Sequence, residues 1–439
     1  MNSIKKIISK IKKQQQLVSK GVYDKYIYSN NHIDIIHDTC RLCYNGKKEA
    51  TKEDKLAYIE RRVKTGHESI LEHSNIVIYI AIEKDVDNLL ELTEVIENCK
   101  YLNTKIKIDN KFIHTLIGGS LRGYKHIFRN IENQDNKIAK LILNNLYLTN
   151  KEYFTDFIED NIMDEFKFRD LEFTYPAIRT NKILNENINI INIDDINYIY
   201  EQTEGIFTKE DLLDFCTVTI FFKDISRIIS QQITRHRNAI TQLSQRYVNY
   251  SGDEFGFNSP TKYKDKYDKN HVYGIYFNDT YYELTLEELG KELMKIYDQL
   301  VDKKLKEHKL LPEDARAYLP NNAQTSLYMT FTFKNLIKFL QLRTDSHAQA
   351  EIRLLAQTIE KEFRPLLEDI LGHDIYDTLI PKYKLIAENE DLYEGIDEVI
   401  EWFFNYILYI CNNIIYFNEV KTNEQIFLQS LSYFRNWIF

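Results

Sequence analysis

The sequence predicts an α+β protein, a central sheet with helices around it. Two β-branched and aromatic runs, at 75–82 and 214–222, have the composition of buried strands. Amphipathic stretches with apolar residues at helical spacing stand between and after them. Only 13 Gly and 6 Pro interrupt 439 residues, so most of the chain is free to be regular. A chain of this length can bury a full core and more than one domain.

In order, residues 1–33 read as a short basic amphipathic helix and a linker. MNSIKKIISKIKKQQQ lacks the apolar centre of a signal peptide. Residues 34–60 give a short segment, the 40–44 stretch and a helix from Lys52. GHESILEH at 66–73 gathers two His, two Glu and a Ser in one turn. Ser69 and Glu72 have the spacing of a capping box, and His67 with His73 lacks a third ligand for a metal. Residues 75–82 form a strand. Residues 84–209 read as an inserted, mainly helical subdomain. It holds a helix at 85–99, a hairpin at 105–117 over Asp109-Asn110 and a helix capped by Ser120. An amphipathic stretch at 136–148 follows, then irregular chain to about Phe207.

The strand at 214–222 feeds a helix from 224 on, striped by Ile225, Ile228, Ile229 and Ile233. A loop at 250–270 and a long helix at 282–308 follow. Pro312 and Pro320 bound a short helix from which Arg316 projects. A last core helix carries Ile352, Leu355, Ile359 and Phe363; run back through 343, it places Arg343 and His347 four apart on its other side. The parts are thus 1–33, 34–83, the insert 84–209, 210–369, and a helical extension 370–439. The extension's aromatic run at 398–412 suits packing or subunit contact.

The net charge of −9 counts against nucleic-acid binding, which needs a basic face. No run of about 18 apolar residues marks a membrane span. Five cysteines form no disulfide framework, which fits a reducing, cytoplasmic setting. Cys40 and Cys43 are a single C-x-x-C and read as two small buried thiols rather than a zinc site. Richness in Asn, Ile, Lys and Tyr is that of an AT-rich coding sequence, so single lysines and asparagines carry little message.

The chemistry concentrates at 224–247. Continued by turns of 3.6 residues, the isoleucine stripe runs into Gln232, Arg235 and His236, and polar groups on a buried face need partners. From Arg235 to Tyr247 there is no Asp or Glu, while Arg235, His236, Arg237 and Arg246 gather. In an acidic chain that asymmetry asks for an anionic ligand, most naturally phosphate, which guanidinium binds bidentately. A helix end dressed with solvated arginines is the plainer alternative.

Arg235-His236-Arg237, a spacer and Ser244-x-Arg246-Tyr247 together resemble the signature of the flavin-dependent thymidylate synthases (ThyX). GHES-x-x-EH at 66–73 and LRTDSHAQAEI at 342–352 resemble two further landmarks of that family, in the right order. The family's spacer is one residue longer than the six at 238–243. A lost residue flips a strand but is tolerated in a loop, so the gap is placed in a loop near 238–240.

The resemblance covers about 34–82 and 214–366. It implies a ThyX-like central sheet and the reductive methylation of dUMP to dTMP. Methylenetetrahydrofolate would donate the carbon, and FAD recharged by NADPH the hydride. It implies Arg343 as the catalytic residue. It implies Gln232, Arg235, Gln242, Leu243, Ser244, Gln245, Arg246, Arg316 and Arg343 on dUMP, and His67, Ser69, Glu72, Arg235, His236, Arg237, Gln242 and His347 on flavin. No metal is implied, and a homotetramer with sites shared between subunits is. Where the family carries Asn-x-Arg, this chain has Thr332-Phe333-Lys334; Ser120 and Arg122 of the insert, with Lys334 and Lys338, are candidate replacements at the flavin. A catalytically inactive nucleotide- or flavin-binding relative with an assembly role is the alternative. No Gly-rich dinucleotide fingerprint supports a Rossmann oxidoreductase.

Overall fold

The computed structural model describes residues 22–29, 32–44, 51–131, 135–150, 177–178, 182–252, 255–263, 267–277 and 279–380. The chain divides between Ile380 and Pro381 into two units, and only the first falls among these residues. The basic helix expected near the N-terminus and the aromatic helix expected at 398–412 lie outside the described residues.

The first half builds an antiparallel sheet. Strand β1 (Val22–Ser29) precedes helices α1 (His32–Leu42) and α2 (Lys52–Lys64), a 3-10 turn at Glu68–His73, and β2 (Ile76–Glu83). Helix α3 (Val86–Glu97), strands β3 (Asn103–Ile108) and β4 (Phe112–Gly119), and helices α4 (Leu121–Asn130) and α5 (Lys137–Asn150) follow. The strand order is β1-β2-β4-β3. The expectation of a linker across 22–29 is corrected: VYDKYIYS pairs with β2, and its alternation is broken at the irregularity between Asp24 and Tyr26. The β3–β4 hairpin turns over Asp109 as expected, with Oδ1 accepting the Lys111 and Phe112 amides.

The second half builds a larger sheet. It comprises β5 (Ala177–Ile178), β6 (Lys182–Asn185), β7 (Ile188–Asp194), α6 (Ile196–Gln202), β8 (Thr217–Ser226), α7 (Arg227–Ile233) and β9 (Ala239–Gln242). A hairpin of β10 (Tyr273–Phe277) and β11 (Thr280–Leu284) leads to α8 (Leu286–Leu300), then α9 (Pro312–Ala315), β12 (Gln324–Thr332), α10 (Phe333–Arg343), α11 (Ala350–Leu371) and α12 (His373–Leu379). The order is β5-β7-β8-β12-β9, with β6 on β7. Phe221 and Tyr328 face each other across β8 and β12, rings 4.5 Å apart, a cross-strand pair that helps set register.

Strand β2 belongs to both cores. Val77 and Tyr79 join the core of the larger sheet, while Ile76, Ile78, Ile80 and Ile82 join that of α1–α5. Burial on both faces explains why this strand reads as one apolar run. Ile352, Leu355, Ile359 and Phe363 are buried against the larger sheet, as their spacing predicts.

Four expectations change. Residues 182–207 are not irregular: β6 pairs with β7 and β7 with β8, while 151–176 lie outside the described residues. The Asn residues of β7 hid the strand, and the buried carboxylate of Asp194 is satisfied by the Thr217 amide and hydroxyl and by Asn75. The insert is not separate from the rest, since it gives β3 and β4 to one sheet and β7 to the other. Strand β8 runs to Ser226, so Ile225 is a strand residue and the signature helix starts only at Arg227. The long helix expected at 282–308 is a hairpin strand, then α8, capped by Thr285 and Glu288. No helix among the described residues is long and apolar enough to cross a membrane.

Candidate functional site

Helix α7 opens at Ser226, whose hydroxyl accepts the Ile229 amide at 3.3 Å. The Ser226 amide and hydroxyl in turn donate to the buried carboxylate of Glu351, at 2.8 and 2.7 Å, and Asn258 donates to it at 2.9 Å. Three donors offset the cost of burying that carboxylate. The start of α7 is thereby pinned to the start of α11.

After seven residues α7 tightens into a 3-10 turn, Thr234–His236, which stops at Arg237 in a left-handed conformation (φ 49°). Arg235 and Arg237 are exposed and His236 is half-buried, its ring edge-on to Phe339 at 5.1 Å. The Nε of Arg343, at the end of α10, donates to His236 Nε2 at 3.1 Å. Burial and then the Arg343 charge push the His236 pKa down to about 4. The imidazole is therefore neutral at pH 7, with its proton on Nδ1. Burial and the neighbouring Arg235 also lower the Arg343 pKa. Among the described residues no carboxylate pairs with Arg235, Arg237 or Arg343.

Asn238 donates to the His236 carbonyl and accepts from Asn335 at 2.9 Å, tying the turn to α10. Gln232 Nε2 donates to Gln349 at 2.7 Å. The helix expected to run from Arg343 through His347 is broken: α10 ends at Arg343 and α11 begins at Ala350. Thr344 closes α10 by bonding back to the Leu340 carbonyl, and His347 is exposed beside Asp345 at 2.8 Å. The loop expected at 238–240 is also corrected, because Ala239 to Gln242 pair with β12. Only the left-handed corner at Arg237 and Asn238 is left for a shortened spacer.

Downstream, the Gln242 amide nitrogen donates to Ser230 and Thr325, at 3.0 and 3.1 Å. Leu243 is buried among Val248, Tyr250 and Tyr297. Ser244 Oγ accepts the Arg246 and Tyr247 amides at 3.1 and 3.4 Å, an arrangement that shapes a turn. Arg246 approaches the Glu313 carboxylate at 3.6 Å, and Arg316 Nε donates to the Glu313 carbonyl at 3.0 Å. A cavity of about 620 Å³ lies here, lined by Arg227, Gln245, Leu310, Glu313, Arg316 and Tyr318, with Asp314 and Ala317.

The Glu68–His73 turn packs against β9 and β12 of the larger sheet. His73 is fully buried, with Nδ1 2.9 Å from the Thr330 hydroxyl and Nε2 2.8 Å from that of Thr241. Both ring nitrogens are engaged, which removes the His67–His73 metal pair, and burial pushes the ring's pKa down to about 3. Ser69 is exposed and does not cap: the turn begins after His67 with no side-chain cap. Helix α4 of the insert covers the turn. Arg122 pairs with Glu72, and Arg129 with Glu68 at 2.8 Å. Lys125, itself buried, lies 3.5 Å from Glu68. Arg129 first, with Lys125, holds the Glu68 carboxyl down at about 2. Ser120 caps α4 through the Gly123 amide. Lys334 is paired with Asp214 at 2.7 Å, and Lys338 is exposed.

The structure thus gathers three groups in one chain: Arg235, His236 and Arg343; Gln245, Arg246 and Arg316; and His67, Ser69, Glu72 and Arg122. No contact among the described residues joins Arg343 to Arg246 or Arg316. Sequence reading missed His73 as the bolt between the first turn and β9. It also missed Arg227, although a charged residue among isoleucines already signals a group in need of a partner. Cys40 is buried with its thiol 3.8 Å from the Tyr58 hydroxyl, and Cys43 Sγ lies 3.5 Å from the Gln242 carbonyl. Both are free thiols whose pKa burial raises, Cys43 to about 11.

Residues 192–367 match the family model of the thymidylate synthase complementing protein, Thy1. This part of the chain is similar to the Thy1 family. The chain is 33% identical over 148 residues to a flavin-dependent thymidylate synthase of Geobacter sulfurreducens, covering 34% of this chain and 56% of that protein. It is 28% identical over 192 residues to the flavin-dependent thymidylate synthase of Pyrococcus abyssi, covering 42% of this chain and 71% of the other. The chain spans little more than half the length of the first of these relatives. A crystal structure of thymidylate synthase X from Helicobacter pylori with FAD and dUMP aligns at 17% identity and a TM-score of 0.29, over 43% of this chain and 99% of that one. The Thy1 match begins in β7 and ends in α11, so it takes in the whole α7–β9 signature, Arg316 and Arg343, while Glu68–His73 and α4 lie outside it.

Proposed function

We propose that the chain is a flavin-dependent thymidylate synthase, methylating dUMP to dTMP. The observation that carries this reading is Arg343. A half-buried guanidinium with no carboxylate partner among the described residues is held by a neutral His236 and sits beside a second guanidinium, Arg235. Such a group is poised for an anion or for charge that develops during reaction.

C5 of uracil becomes nucleophilic when negative charge at N3 and the carbonyl oxygens is stabilised. The Arg343 guanidinium does that without giving up a proton, and His236 orients it by accepting from Nε. Gln245, Arg246 and Arg316 would hold the nucleotide at the cavity. Ser244 is no nucleophile in this reading, since its Oγ accepts two backbone amides and no base adjoins it.

The donor set suits FAD. Arg235 and Arg237 are exposed guanidiniums without carboxylate partners among the described residues, matched to a pyrophosphate, and Ser69, Glu72 and Arg122 form a separate polar ledge. Bound flavin supplies the hydride, with methylenetetrahydrofolate giving the carbon and NADPH the reducing equivalents. A homotetramer with shared sites would let a second copy of the chain bring the Arg343 group and the Arg246–Arg316 group to one nucleotide. Tritium release from [5-³H]dUMP, dependent on NADPH and methylenetetrahydrofolate, tests the proposal. A flavin-bound protein that releases none is the inactive relative, with an assembly role.

A further inference from the structure

We propose that Glu368, His373 and Asp377, at the corner between α11 and α12, form a binding site for a divalent metal ion, with Zn²⁺ the best match to one imidazole and two carboxylates. The site is independent of the nucleotide reading and lies beyond the stretch matched to Thy1, which ends at residue 367. Helix α11 ends at Leu371, Gly372 turns the chain with φ of 85°, and α12 starts at His373. The corner folds His373 back toward Glu368, and the four-residue step along α12 puts Asp377 on the same face as His373. One ligand atom from each of the three residues lies within 4.8 Å of the other two. Ligands of a tetrahedral ion with bonds of about 2.0–2.2 Å stand about 3.5 Å apart, so small side-chain rotations close the site.

Two independent features point to a cation here. His373 has a carboxylate at each ring nitrogen, Glu368 at 3.2 Å from Nδ1 and Asp377 at 3.3 Å from Nε2. A neutral imidazole carries one N–H, so one of these contacts sets a ring lone pair against a carboxylate lone pair. A metal ion between the two turns that repulsion into a pair of bonds. The second feature is the sharing of Arg364. Its guanidinium reaches the buried carboxylate of Glu360, which also accepts from the Tyr376 hydroxyl at 3.1 Å. The same guanidinium donates to Glu368 at 3.1 Å and to Asp377 at 2.9 Å. One fixed positive charge thus serves three carboxylates. Arg364 holds Asp377 by Oδ1 and leaves Oδ2 turned to His373, so it orients a ligating carboxylate as the partners of metal ligands do. His373 is exposed, which gives the ion a path in and leaves a coordination position to water. The bound ion clamps α12 to the end of α11.

The test is titration of Zn²⁺, against a chromophoric chelator, into the metal-stripped full-length protein and into His373→Ala, Glu368→Gln and Asp377→Asn. Melts without metal establish that each variant is folded; the His373 ring is exposed, and both amides keep an acceptor oxygen for Arg364. The expected result is saturable binding that each variant weakens by about tenfold or more, and a rise in Tm with Zn²⁺ that His373→Ala loses. Co²⁺ in the same site should show visible absorption bands without the near-ultraviolet thiolate band that a site at Cys40 and Cys43 would add. Zn²⁺ affinity and melting shift unaffected by His373→Ala, or a thiolate band with Co²⁺, overturn the proposal. So does the absence of saturable binding, which leaves a proton on His373 as the cation of the cluster.

Discussion

Arg343 Nε donates to His236 Nε2 at 3.1 Å, joining the last residue of α10 to the 3-10 turn that follows α7. The contact makes a histidine the acceptor for a guanidinium, which requires a neutral ring. Arg343→Ala is expected to lower turnover by about a hundredfold to a thousandfold, the typical cost of one such charge-stabilising donor. Bound flavin should stay unchanged. Single-turnover measurement of dTMP formation checks this, and full activity in the variant would remove Arg343 from the reaction.

Stability should fall on mild acidification. His236 and His73 have folded pKa values of about 4 and about 3, below the ordinary 6.5. Between those limits the unfolded chain binds protons that the folded chain refuses, so stability is complete above about pH 6.5 and is lost as pH falls toward 4 and 3. For fully buried His73 the slope approaches about 1.4 kcal/mol per pH unit. Glu68 and Asp211, held down at about 2, act only at lower pH. Urea midpoints between pH 7.5 and 5 measure the effect, and a flat profile contradicts it.

Removing the His73 ring leaves the Thr241 and Thr330 hydroxyls facing a void. His73→Ala should cost about 2–4 kcal/mol, read from urea denaturation. A variant as stable as the parent would show that the bolt between the first turn and β9 holds nothing.

Glu351→Ala removes the acceptor of three donors, from Ser226 and Asn258. A loss of about 3 kcal/mol is expected, while Glu351→Gln, keeping one acceptor oxygen, should lose less. Thermal melts of the pair decide, and equal stability of all three proteins counts against the junction.

Arg122→Ala addresses the insert. If α4 replaces the missing Asn-x-Arg, the variant should release FAD about tenfold more readily, followed by flavin fluorescence. Unchanged affinity and turnover would reduce Arg122 to a partner of Glu72.

Much of this was legible because some residues announce their setting. The stripe Ile352–Phe363, the Ser120 cap, the Asp109 turn and the fully apolar β2 all follow from local chemistry. So did the arginine-rich, acid-free run from Arg235 to Tyr247. Tertiary context hid the rest. Strand β7 was obscured because Asn192 and Asp194 are buried, and the partners that satisfy Asp194, Thr217 and Asn75, are distant in sequence. The extension of β8 through Lys223 and Asp224 breaks alternation at a left-handed Asp224 (φ 50°). His73 had no assigned role in the sequence, because its partners are 168 and 257 residues away, a distance no local pattern spans.

The central claim is that a uridylate lies against a flavin among these arginines. Titrating dUMP into the oxidised, FAD-loaded protein tests it directly, because a pyrimidine brought onto the isoalloxazine changes that ring's absorbance. A saturable spectral change that Arg343→Ala and Arg316→Ala each shift to higher dUMP concentration is the predicted result. A spectrum indifferent to dUMP, or a change that neither arginine affects, would contradict the account.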